Sequence, residues 1–138
     1  MRKIKGVLLF GLFCLVFAGT ASADETAEIP PQQVLIEAAI QNDWFSKRCR
    51  GVSINKYFNE VNRLYIERYG ISAHNYIERF QELEFAGYKE TIELAMQRRL
   101  IELGGCQAAK RQDWDRALKN TYKAALKKVE TSNWFPEP

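Results

Sequence analysis

The chain predicts an all-α fold: a small bundle of four to five helices stapled by one disulfide, behind a cleaved signal peptide. Three observations predict it. Apolar residues recur at three-and-four spacing through most of residues 32–132, the period of one helix face. No run alternates apolar and polar residues between turn signals, as strands would require. The three cysteines divide into Cys14, inside an N-terminal apolar run, and Cys49 with Cys106 beyond it, an even pair that reads as a bridge in an oxidising compartment.

The N-terminus carries a basic start with Arg2, Lys3 and Lys5, an apolar stretch from Val7 to Ala18, and Ala21-Ser22-Ala23 ahead of Asp24. That is the order of a secretory signal, with removal expected after Ala23. The apolar core is near a dozen residues, well short of the roughly 20 a spanning helix needs. Cys14 follows Phe13, where a lipidation signal would want a small residue, so a lipid anchor is not expected. The sequence therefore divides into a signal peptide (1–23), an extended lead-in (24–31), a helical domain (32–132) and a short aromatic and proline-containing tail (133–138). The exported product is expected in a periplasm or outside the cell, without a stable membrane span.

Processing also removes the apparent basicity. Twenty Lys and Arg less the three at positions 2, 3 and 5 leave 17 basic side chains against 17 acidic ones. A neutral domain offers no general case for nucleic acid, whose binding rests on a basic face.

The first helix is expected from Gln32 toward Phe45, broken by Arg50-Gly51. Ser53 is placed to cap a second helix, along which Tyr57, Phe58, Val61, Leu64 and Tyr65 hold one face until Gly70, a residue suited to the left-handed position after a helix. Ser72 caps a third, whose stripe of Tyr76, Ile77, Phe80 and Leu83 continues through Ile92, Met96 and Leu100 to Gly104-Gly105. Gly87 lies within that stripe and marks either a kink or a close helix contact. Asp113 is placed to cap the last helix, with Trp114, Leu118, Tyr122, Ala125 and Val129 on one side. The run from Gln112 to Leu118, with Tyr122, Ala125 and Leu126, resembles the second helix of a tetratricopeptide repeat. Its tyrosine and later alanine are one position out of register, and no second copy appears 34 residues away, so an amphipathic helix with small residues accounts for it equally well.

Chemistry is sparse. The only histidine, His74, leaves nothing for a nucleophilic triad, and no phosphate-binding glycine loop, calcium loop or metal-ligand spacing occurs. No cofactor or metal is expected. Carboxylate pairs such as Glu82 with Glu84, or Glu90 with Glu93, are the sole basis for a second reading, a small wall-cleaving hydrolase. The aromatic residues point elsewhere. Trp-Phe occurs twice in similar settings, Asn42-Asp43-Trp44-Phe45 and Ser132-Asn133-Trp134-Phe135. Either the two pairs pack the ends of the bundle, or Trp134 and Phe135, with Trp44 and Phe45, meet another envelope or secreted protein, as aromatics do at binding hot spots. Export, a disulfide and the lack of a catalytic set favour an interaction module of the chaperone, inhibitor or immunity type.

Overall fold

Two prolines open the first helix, α1 (Pro31–Arg50). Pro31 stands at its first position, where a missing N–H goes unnoticed because the first turn leaves that donor unpaired anyway. The computed structural model describes residues 28–137; the expected signal peptide and residues 24–27 of the lead-in lie outside the described residues. Beyond α1 follow α2 (Lys56–Tyr69), α3 (Ala73–Phe80), α4 (Phe85–Leu103), α5 (Cys106–Arg111) and α6 (Trp114–Thr131). All six are helical, and no strand occurs among the described residues. The helix ends at Gly51, Gly70 and Gly104 each use a left-handed backbone, with φ of 67°, 70° and 96°. Glycine accepts that conformation without a side-chain clash.

Helix α1 is the central rod. Leu35, Ile36, Ala38, Ala39, Ile40 and Phe45 are all buried, which covers most of its circumference rather than one stripe. It packs against α2, α4 and α6. Helices α2 and α6 run antiparallel to it. Near the start of α1 the Gln32 amide donates to Tyr69 Oη and Ser132 Oγ, both at 3.3 Å, at the far ends of α2 and α6. Ten residues on, Asn42 Nδ2 donates to the carbonyls of Ala38 and Leu118 at 2.8 and 3.0 Å, tying α1 to the first half of α6. Cys49 and Cys106 are bridged, with Cα atoms 5.4 Å apart. The bridge joins the last turn of α1 to the first residue of α5.

Four local expectations are corrected. Ser53 does not cap α2. That helix starts at Lys56 with no cap from its own preceding side chain, and the acceptor comes instead from α1: Asp43, 4% exposed, takes the N–H of Tyr57 at 3.0 Å and of Phe58 at 2.8 Å. One carboxylate thus satisfies two of the donors that a helix start leaves free. Asp43→Ala is expected to lower stability by about 1 to 2 kcal/mol, with Asp43→Asn in between; denaturant titration of the two variants checks the order. Asp113, although it does precede α6, makes no cap bond and instead pairs with Arg116 at 3.3 Å.

The long stripe from Ser72 to Gly104 is two helices, not one. The chain leaves the helix between Gln81 and Glu84, with Glu82 at a φ of 51°. Phe80 and Phe85 give the reason. Five residues apart, they would lie about 140° apart around a continuous helix, yet Phe80 packs on Tyr76 and Trp134 while Phe85 packs on Phe58 and His74. Breaking the helix lets both rings cover the bundle. Gly87 accordingly falls in the first turn of α4, at neither a kink nor an internal contact, and a Cβ built on it meets nothing within 4 Å.

Candidate binding site at the aromatic end

At the end of the bundle where α1 begins, a row of aromatic residues follows from helix spacing. Tyr65 and Tyr69 are four apart on α2, and Tyr76 and Phe80 four apart on α3, so each pair stands on one face. Tyr65 packs edge-on against Tyr69 at 5.3 Å and Tyr76 at 5.7 Å, and its hydroxyl donates to the Gln32 carbonyl. Burial, with the neighbouring tyrosines, pushes the Tyr65 hydroxyl far above the ordinary range. Burial likewise raises Tyr76, against the lowering pull of its Gln81 hydrogen bond. Both stay neutral around physiological pH, with Tyr65 donating to the Gln32 carbonyl and Tyr76 accepting from Gln81 Nε2 at 3.4 Å.

The C-terminal tail is fixed onto this cluster. Arg68 caps α6: its guanidinium donates to the carbonyls of Glu130 and Ser132, the acceptors that the end of a helix leaves open. Ser132 Oγ accepts the N–H of Trp134 at 3.1 Å. The tryptophan ring then stands edge-on to Tyr69, Tyr76 and Phe80, with centroids 5.1, 5.6 and 5.5 Å away. Phe135 sits one residue further, 6.0 Å from the Tyr69 ring and 6.0 Å from the Arg68 guanidinium, and is 60% exposed. Beside Trp134 runs a groove of about 370 Å³ floored by Tyr76 and Phe80 and edged by Pro30, Pro31, Gln81 and Ser132.

The four aromatic candidates of the sequence therefore separate. The two Trp-Phe pairs lie at opposite ends of α1 and do not pack on each other. Phe45 is 2% exposed and edge-on to Trp114 at 5.6 Å, so it belongs to the core and offers no surface to a partner. Trp44 is half-buried beside a cavity of about 90 Å³ that Asp43, Lys47, Asn55, Phe58 and Glu93 also line. Trp134 is half-buried on α2 and α3. Only Phe135 stands out in solvent. Sequence reasoning missed Arg68, Ser132 and Gln32, which hold the tail in place. The signal for Arg68 was present in its last-turn position on α2, but nothing in the sequence says that it reaches α6.

In the cavity at Trp44 two carboxylates, Asp43 and Glu93, line the same space. It does not suit glycoside cleavage. Burial pushes the Asp43 carboxyl up, against the lowering effect of its two N–H partners and Lys47, but both of its oxygens are occupied by those donors. Glu93 lies 3.7 Å from Lys89. The volume is also several times below the roughly 300 to 1,000 Å³ of ordinary ligand sites. Glu82, Glu84 and Glu90 are exposed on the surface. A wider groove of about 700 Å³ between α1 and α6 has Val34, Ala124 and Ala125 in its walls with Glu28 and Lys128, and lacks an aromatic ring. Among the described residues no group of His, Cys, Asp and Glu could hold a metal ion, and no helix is long and apolar enough to cross a membrane. Compared with known proteins, the chain matches no family model, no curated protein and no solved structure.

Proposed function

We propose that this chain is an exported interaction module that binds another envelope or secreted protein through the aromatic end of its bundle. The observation that carries the reading is Phe135, a large aromatic 60% exposed yet held against Tyr69 and Arg68. An aromatic ring fixed before binding loses little freedom when it docks, and such residues dominate binding energy at interfaces. In this reading Trp134 is the strut beneath the contact, and the groove alongside it receives an extended stretch of the partner, since aromatic-lined grooves suit extended and proline-containing segments. The disulfide fits an oxidising compartment, and the N-terminal basic and apolar pattern fits export.

Phe135→Ala separates binding from folding. Capture of a partner from the envelope by the tagged variant is expected to fall at least tenfold, while its melting temperature stays within about a degree or two of the parent, because an exposed ring contributes little to stability. Quantitative mass spectrometry of the captured material checks this. Undiminished capture by the variant would remove Phe135 from the interface and the reading with it.

A further inference from the structure

Helix α4 turns Ile92, Met96 and Leu100 into the core. Its opposite face carries Gly87, Glu90, Leu94, Arg98 and Ile101, which fall within an arc of about 80° at 3.6 residues per turn. Leu94 is 45% and Ile101 70% exposed. Glu90 and Arg98 are exposed as well, and among the described residues neither takes part in an ion pair, although their neighbours do: Lys89 pairs with Glu93 and Arg99 with Glu102. Gly87 has open space where a side chain would stand and needs no left-handed backbone. Nothing among the described residues calls for glycine there.

The stripe is symmetric about Leu94 in an unusual sense. Four residues before it stands an acid and four after it a base; seven before it stands the notch of Gly87 and seven after it the knob of Ile101. We infer that this face of α4 pairs with the same face of a second copy of the chain, antiparallel, with Leu94 on the two-fold axis. In that arrangement Glu90 of each copy opposes Arg98 of the other, and Ile101 of each lies over Gly87 of the other. A two-fold contact needs a surface complementary to itself, and here both charge and shape meet that condition. A partner of uniform charge would leave either Glu90 or Arg98 facing a like charge. One helix face against another buries less than the roughly 1,200 Å² of a stable complex, so the dimer is weak and depends on concentration. It leaves the aromatic end free, and the inference stands independently of the function proposed for that end.

Sedimentation equilibrium of the oxidised chain from micromolar to millimolar concentration tests it. The parent is expected to move from monomer to dimer in that range. Glu90→Arg and Arg98→Glu are each expected to weaken dimerisation about tenfold or more, because each places two like-charged pairs across the axis. The two changes together are expected to restore it. Gly87→Gln, which replaces glycine by a better helix former, is expected to keep or raise the melting temperature while weakening the dimer. A chain that stays monomeric at millimolar concentration overturns the proposal, and so does a dimer indifferent to the single reversals or a double reversal without recovery.

Discussion

Replacing Cys49 and Cys106 together by serine is expected to lower the free energy of unfolding by about 2 to 5 kcal/mol. The bridge closes a loop of 57 residues, for which loss of freedom in the unfolded chain alone gives about 4 kcal/mol. It ties the end of the central helix to the start of α5, so the enclosed chain contains α2, α3 and α4 entire. Other contacts hold the same corner: Arg50 and Asp115 pair at 2.9 Å, and Phe45 meets Trp114 edge-on. The ion pair is partly exposed and contributes at most about 1 kcal/mol, so it does not replace the bridge. Urea titration of the double serine variant against the oxidised parent measures the loss. The slope of the transition is expected to steepen as the midpoint falls, because an unfolded chain freed of its cross-link exposes more surface. An unchanged midpoint would mean that the aromatic and ionic contacts at this corner suffice by themselves.

Much of the fold was legible because it rests on local signals. Gly51, Gly70 and Gly104 stop helices where the sequence places the stops, and Ser72 caps α3 by accepting the N–H of Asn75 at 3.0 Å. The pairing of Cys49 with Cys106 followed from setting Cys14 apart in the expected signal peptide, which leaves these two. What failed to show was decided between elements. Asp43 looks like any polar residue near a helix end until α2 is seen to start against it. The segment from Gln81 to Glu84 is made of good helix formers, and only the separate duties of Phe80 and Phe85 break it. The stretch between Gly105 and Asp113 hides α5, six residues long, too short for periodicity to register. The candidate site was legible in composition and not in arrangement. Trp44, Phe45, Trp134 and Phe135 form two similar pairs in sequence, and packing gives them four different environments.

Deleting residues 133–138 is expected to lower the free energy of unfolding by about 2 to 3 kcal/mol, and Trp134→Ala to reproduce most of that loss. The sequence alone leaves two opposed outcomes for this deletion. A free tail would take binding with it and leave stability untouched, whereas a docked tail would be part of the fold. Chain ends are usually loose unless something ties them down, and here three things do. Arg68 donates to the Ser132 carbonyl, Ser132 Oγ accepts the Trp134 N–H, and the indole lies edge-on to Tyr69, Tyr76 and Phe80. Full burial of a tryptophan corresponds to about 3 to 5 kcal/mol on truncation, and half-burial brings the expectation below that. Edge-on aromatic pairs add about 0.5 to 1.5 kcal/mol each beyond area, though three pairs sharing one ring do not add in full. Phe135→Ala, by contrast, removes an exposed ring and is expected to change stability by no more than about 0.5 kcal/mol. Titrating the three variants with urea side by side ranks them. A deletion variant as stable as the parent would show that Trp134 rests on the aromatic cluster without supporting it.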